Sequence, residues 1–127
     1  MTINFTILQS LMIGLNELAE KELPFKLSLL VAKNLSLLEK EQEFYIAQER
    51  EFALKYLVIE NGQFVQEREN VFKIKEGMEK ECQEAREALN KFESEVDLRK
   101  LPVSLLEQLN FSPKTLMALE SIIDEEA

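Results

Sequence analysis

Apolar residues recur seven apart at Val31, Leu38, Tyr45, Phe52 and Ile59, in a stretch without glycine and with proline only at its start, Pro24. A row of that period is one stripe of a long amphipathic helix whose apolar side must find a partner. It predicts a helix over about 24–57, with Pro24 suited to the first turn. A second row, Met78, Cys82, Ala85, Leu89, Phe92 and Val96, steps alternately by four and three, the spacing of a coiled-coil seam. It predicts another helix over about 76–94. Two helices with matching seams read as a helical hairpin.

The rest of the chain fills in around it. Thr6 and Gln9 have capping-box spacing, and Ile7, Leu8, Leu11, Met12, Leu15 and Leu18 follow at helical intervals; together they predict a first helix over about 6–20. Gly14 weakens that helix by ~1 kcal/mol relative to Ala, so packing must hold it. Ile3-Asn4-Phe5 alternates and reads equally as a strand extension. Asn61-Gly62 between apolar residues is a strong hairpin signal, and Phe72 to Lys75 alternates again, so a strand pair is expected across about 63–75. Val96 to Arg99 reads as a third short strand. Ser104 with Glu107 opens a short helix by capping-box spacing, and Ser112-Pro113 caps a last one over about 113–123. The acidic tail Asp124-Glu125-Glu126 then lies at a helix C-terminus, where negative charge is disfavoured, and is expected to fray.

The predicted fold class is therefore mainly α with a small β element. It is a long helical hairpin with an N-terminal helix, a minor sheet of two or three short strands and short C-terminal helices, in one domain over 1–127.

Composition narrows the chemistry. Net charge is −9, which disfavours attraction to nucleic acid or to an anionic membrane. Histidine is absent and Cys82 is the one cysteine. A Ser-His-Asp or Cys-His centre is thus impossible, the usual zinc and iron sites are excluded, and no internal disulfide can form. None of the three glycines falls in a phosphate-binding frame. Carboxylates are so numerous that no pair stands out as a general acid and base. The uncharged stretch to Asn16 lacks the basic flank of a signal peptide, and no run approaches the ~20 apolar residues of a membrane span. Pairs such as Glu76–Lys80, four apart, read as solvated helix faces. The composition fits a binding protein of the cytoplasm with no catalytic residues, metal or cofactor.

Two groups on the long helix are candidate contacts. Asn34, Glu41 and Gln48, also seven apart, either flank the seam and reach water or line a polar groove and fix the register of a partner helix. Tyr45, Phe52 and Tyr56 share roughly one face, with Arg50 and Lys55 along its margins. Such a set either cradles a nucleotide or another anion, or is core flanked by cations that reach to solvent.

Four segments carry a resemblance. They are Leu23-Pro24-Phe25-Lys26; Phe44-x5-Arg50-x4-Lys55-Tyr56; Glu95-Val96-Asp97-Leu98; and Leu109-x-Phe111-Ser112-Pro113-x2-Leu116-x2-Leu119-Glu120. Across roughly residues 23–123 the chain resembles a group of small, acidic helical proteins encoded by bacteriophages and prophages. The resemblance implies a phage setting and brings no catalytic residues with it. Glu60-Asn61-Gly62 makes a compact turn where the group's pattern calls for a longer acidic loop.

In that setting the expected function is non-enzymatic: an accessory protein that blocks or sequesters a host defence component. The partner is a host or phage protein, or a small signalling nucleotide. Direct nucleic-acid binding and membrane association are not expected, and a homodimer is open because the long helix outruns the shorter one. The alternatives are a virion assembly or chaperone factor, and an acidic mimic of nucleic acid built on the glutamates near 39–43 and 79–87.

Overall fold

The computed structural model of the chain describes residues 1–126. In chain order the first elements are β1 (Thr2–Ile3), α1 (Phe5–Ala19), α2 (Phe25–Tyr56), β2 (Ile59–Glu60), β3 (Gln63–Phe64), β4 (Gln66–Arg68) and β5 (Val71–Phe72). There follow α3 (Glu79–Lys91), β6 (Ser94–Glu95), β7 (Leu101–Pro102), α4 (Val103–Leu106), α5 (Pro113–Leu119), a 3-10 turn (Glu120–Ile122) and β8 (Ile123–Asp124). The fold is mainly α with a small β complement. These residues gather into two compact units, one of Met1–Gln42 with Glu93 onward and the other of Glu43–Phe92.

In the first unit, β1 pairs antiparallel with β6, Thr2 opposite Glu95 and Ile3 opposite Ser94. The chain therefore reaches α1 extended, and Asn4 caps the helix, its side chain accepting from the Ile7 N–H at 2.8 Å. Thr6, the cap expected from spacing, already lies inside the helix. An Asn in extended conformation is among the best caps, and strand pairing puts Asn4 one step before the first turn. From α1, Leu8, Leu11, Leu15 and Leu18 enter the core, joined by Leu27, Val31 and Leu38 of α2. α1 packs on α5 at Gly14, where an added Cβ would lie 2.8 Å from the Leu119 side chain.

Several C-terminal expectations are corrected. The strand expected at Val96 to Arg99 is displaced to Ser94–Glu95. Both backbone groups of Arg99 are taken by the Asn34 side chain, which donates to its carbonyl at 2.9 Å and accepts from its N–H at 2.7 Å. No ladder can form there. Pro102 in extended conformation precedes α4, and Ser104, the expected cap, lies within the helix. Ser112 does cap α5, accepting from the Thr115 N–H at 3.3 Å. That helix ends at Leu119 rather than near 123, because the chain tightens into the 3-10 turn and enters β8. β8 pairs parallel with β7, Asp124 opposite Pro102, so Asp124 is held in a strand pair and does not fray from a helix end.

In the second unit, Asn61 and Gly62 both have positive φ (52° and 76°), the geometry a two-residue hairpin turn requires. They join β2 to β3, with Ile59 opposite Phe64. A further hairpin, β4–β5, turns through Asn70 at φ 62°. In place of one sheet of two or three strands there are, among the described residues, four separate two-stranded pairings. Main-chain bonds from Val65 to Val58, from Lys73 to Val65 and from Val58 to Lys73 tie the two hairpins together. α3 is shorter than the 76–94 expected. Gly77 at φ 82° stops the chain from being helical before it, and Phe92 is extended after it. Glu76 consequently lies outside the helix, which removes the geometry for its pair with Lys80. Among the described residues, no helix is long and apolar enough to cross a membrane.

Candidate functional site

The C-terminal half of α2 and the C-terminal half of α3, with Phe92 just past it, form the two walls of an open groove in the second unit. α2 contributes Phe44, Gln48, Glu51, Phe52, Lys55 and Tyr56, and α3 contributes Ala85, Ala88 and Leu89, with Phe92 just beyond its end, around a volume of 390 Å³. The helical period explains both sets: positions spaced by three and four face one way on each helix. The α2 wall is aromatic, whereas alanines thin the α3 wall and leave room between the two.

One end is closed by a ring cluster. Phe44 lies 5.9 Å from Tyr45 and 5.4 Å from Phe92, and Tyr45 meets Phe92 edge-on at 5.8 Å. Tyr45 is buried at 1% exposure, whereas Phe44 and Phe92 keep 42% and 40% of their surface in solvent. Further along, Phe52 and Tyr56 have ring centroids 5.3 Å apart. The guanidinium of Arg86 lies 4.2 Å above the Phe52 ring, and the Lys55 ammonium is 5.3 Å from the Tyr56 ring.

Arg86 is fixed by a fork. Its two terminal nitrogens donate to the two carboxylate oxygens of Glu49 at 2.6 and 2.9 Å, the bidentate geometry that guanidinium favours. The hydrogen bond to Glu49 pushes the Arg86 pKa above its usual value. Both side chains remain over a third exposed, at 36% and 41%, so water screens the pair and its coupling is only about 0.5–1 kcal/mol. We expect Arg86→Lys to forfeit most of that coupling although charge is kept, because a lysine has neither fork nor planar stacking face. A double-mutant cycle with Glu49→Gln in urea unfolding measures it.

Cys82 lies one turn before Arg86 on α3. Burial pushes its thiol pKa up, against a smaller opposing pull from Arg86. The thiol is therefore held protonated and is a poor nucleophile. Among the described residues, no group of three or more His, Cys, Asp or Glu side chains is placed to hold a metal ion. The groove presents rings, alkyl groups and a few rim polar atoms.

The eight residues singled out from sequence do not form one site. Gln48, Phe52, Lys55 and Tyr56 line the groove, and Tyr45 underlies it in the ring cluster. Arg50 is exposed and is not among the lining residues. Asn34 and Glu41 belong to the first unit. There Asn34 is fully buried on the Arg99 backbone, and Glu41 accepts from the Ser94 hydroxyl at 3.1 Å. Neither of these two simply reaches water. The basic group against the aromatic face is Arg86, which sequence reasoning passed over; its partner Glu49 is 37 positions away, and no local pattern reports such a pairing. Phe92, Leu89 and Ala85 were legible as seam residues, but their half-open exposure was not.

These features define the class: a small, mainly helical protein with an aromatic, partly open groove. Compared with protein-family models, curated proteins and solved structures, the chain shows no match in any of the three.

Proposed function

We propose that this chain is a bacteriophage accessory protein that acts by binding, its α2–α3 groove receiving apolar side chains of a host defence protein and so blocking it. The groove carries this reading: 390 Å³ walled by Phe44, Phe52, Tyr56, Phe92 and Leu89 offers the aromatic anchoring surface typical of protein recognition. The phage setting rests on the resemblance over residues 23–123.

Charge supports a protein partner over a small nucleotide. A nucleotide phosphate needs cations left free for it. Arg86 is already paired with Glu49 and Arg50 is outside the lining, which leaves Lys55 as the one lining cation without an ion-pair partner among the described residues. A protein surface needs no such cations, and rings on one wall with alanines on the other suit an amphipathic helix laid between them.

The test is phage plating on bacteria that each carry one defined defence system, with and without this protein expressed. We expect the wild-type chain to restore plating against at least one system. Ala88→Glu puts a carboxylate into the groove from an exposed position of α3. It should weaken partner binding by about 2 kcal/mol or more, roughly thirtyfold, since the charge is buried unpaired in the complex. Unchanged plating against every system refutes the reading, and recovery only with head or tail proteins assigns the chain to virion assembly instead.

A further inference from the structure

The first unit bears a separate apolar surface on α1 and α5. Met117 is 75% exposed, Ile13 61% and Leu116 39%. Met117 stands on the wall common to three shallow hollows of 330, 410 and 340 Å³. The first two flank it through Ser10 and Ala118, and the third through Leu116 and Glu120. Met117 is a flexible, polarisable side chain, and the hollows beside it are large enough to admit another like it.

Charge is arranged in the same self-matching way. Lys114 lies three residues before Met117 and Glu120 three after it, so all three fall along one stripe of α5 and its continuation. Both charged side chains are exposed, and among the described residues neither has an ion-pair partner. We propose that two copies of this chain associate through this face about a two-fold axis beside Met117, with their α5 helices antiparallel. That arrangement sets Lys114 of each copy opposite Glu120 of the other, twice over, while each Met117 enters the hollow beside Ala118 on the second copy. A parallel arrangement would oppose lysine to lysine and glutamate to glutamate. An isologous contact of this kind demands a self-complementary patch, and the order cation, thioether, anion along one stripe supplies it. The apolar area is small beside the ~800 Å² per partner of a standard stable interface, so the dimer is weak and concentration-dependent.

Sedimentation equilibrium of the full chain over rising concentration tests this. The weight-average mass should climb from the 14.8 kDa of one chain toward twice that value. Lys114→Glu alone and Glu120→Lys alone should each abolish the climb, and the double exchange should restore it. Met117→Glu, which places two carboxylates beside the axis, should leave a monomer throughout. All three positions are exposed, so far-ultraviolet circular dichroism of the variants should match the wild type. A monomer mass at every concentration overturns the proposal. So does a climb that survives Met117→Glu, or a double exchange that fails to restore it.

Discussion

Asn34→Leu should lower the unfolding free energy by about 2–3 kcal/mol, although it replaces a polar residue at a fully buried helix position by a hydrophobic one of similar size. Asn34 is 0% exposed, in register with Leu27, Val31 and Leu38. A hydropathy argument alone would make the change favourable. What opposes it is the backbone of Arg99, whose N–H and carbonyl both end on the Asn34 amide at 2.7 and 2.9 Å. Leucine strands one donor and one acceptor, each costing ~1–3 kcal/mol when left unpaired away from water. The exposure of the Arg99 side chain lets water reach part of that backbone, which sets the estimate in the lower half of the range. Ser36→Ala, two positions along and exposed, is the control and should change stability by less than about 0.5 kcal/mol. Urea unfolding followed by circular dichroism compares them; an Asn34→Leu protein as stable as the control would overturn the expectation that the lost amide pairing outweighs the gain from leucine.

Gly14 sets two effects of opposite sign against each other. In the interior of α1, replacing glycine by alanine should stabilise the helix by about 1 kcal/mol. A Cβ at that position, however, meets Cγ and Cδ2 of Leu119 at 2.8 Å and the Ala118 Cβ at 3.2 Å. Leu119 is itself 0% exposed, so it cannot swing into solvent, and Cγ near the root of its side chain cannot move without the helix moving. Overpacking of this kind costs ~1–3 kcal/mol, more than the propensity gain returns. Gly14→Ala should therefore come out destabilising by about 1 kcal/mol, and Gly14→Val by about 2–3 kcal/mol, since a branched side chain drives deeper into α5. Coupling locates the cause. Leu119→Ala in the Gly14→Ala background should cost less than the sum of the two single changes, because the smaller residue makes the room the new methyl needs. Strict additivity would rule out the steric account.

Much of the scaffold could be read from spacing alone. The seven-residue row from Val31 predicted a helix over about 24–57, and α2 runs Phe25–Tyr56. Asn61-Gly62 announced a hairpin because few other pairs accept two consecutive positive φ angles. Ser112-Pro113 announced the start of α5 for an equally local reason. Two of the errors fall where a partner distant in sequence decides: Asn4 caps α1 because β6 holds Thr2 and Ile3 extended, and Arg99 is no strand residue because Asn34 claims its backbone. The heptad row is also less uniform than it looks. Val31, Leu38 and Tyr45 are buried, Phe52 is half-buried, and Ile59 is exposed in β2.

The candidate site divides along the same line. Aromatics and cations on α2 could be picked out by composition, and three of the lining residues, Phe52, Lys55 and Tyr56, were found that way, with Gln48 coming from the polar row. Their opposite wall could not, since Ala85 and Ala88 become informative only when packed across from Phe44 and Phe52. Arg86 looked like one more surface charge on α3 until its fork to Glu49 and its place over Phe52 were seen.

What the amino-acid order settled by itself was a set of features carried by neighbouring residues: helical stripes, a hairpin turn, a serine-proline cap, an acid excess, and the lack of histidine that removes whole classes of chemistry. Those follow from backbone sterics and side-chain chemistry within a few positions. Tertiary structure alone decided which apolar positions are sealed and which stay half open, and which of three equally spaced polar residues is buried. It also decided which arginine meets an aromatic ring. These outcomes depend on burial and on partners tens of residues away, and a helical stripe reads the same in sequence whether it ends as core or as the wall of a groove.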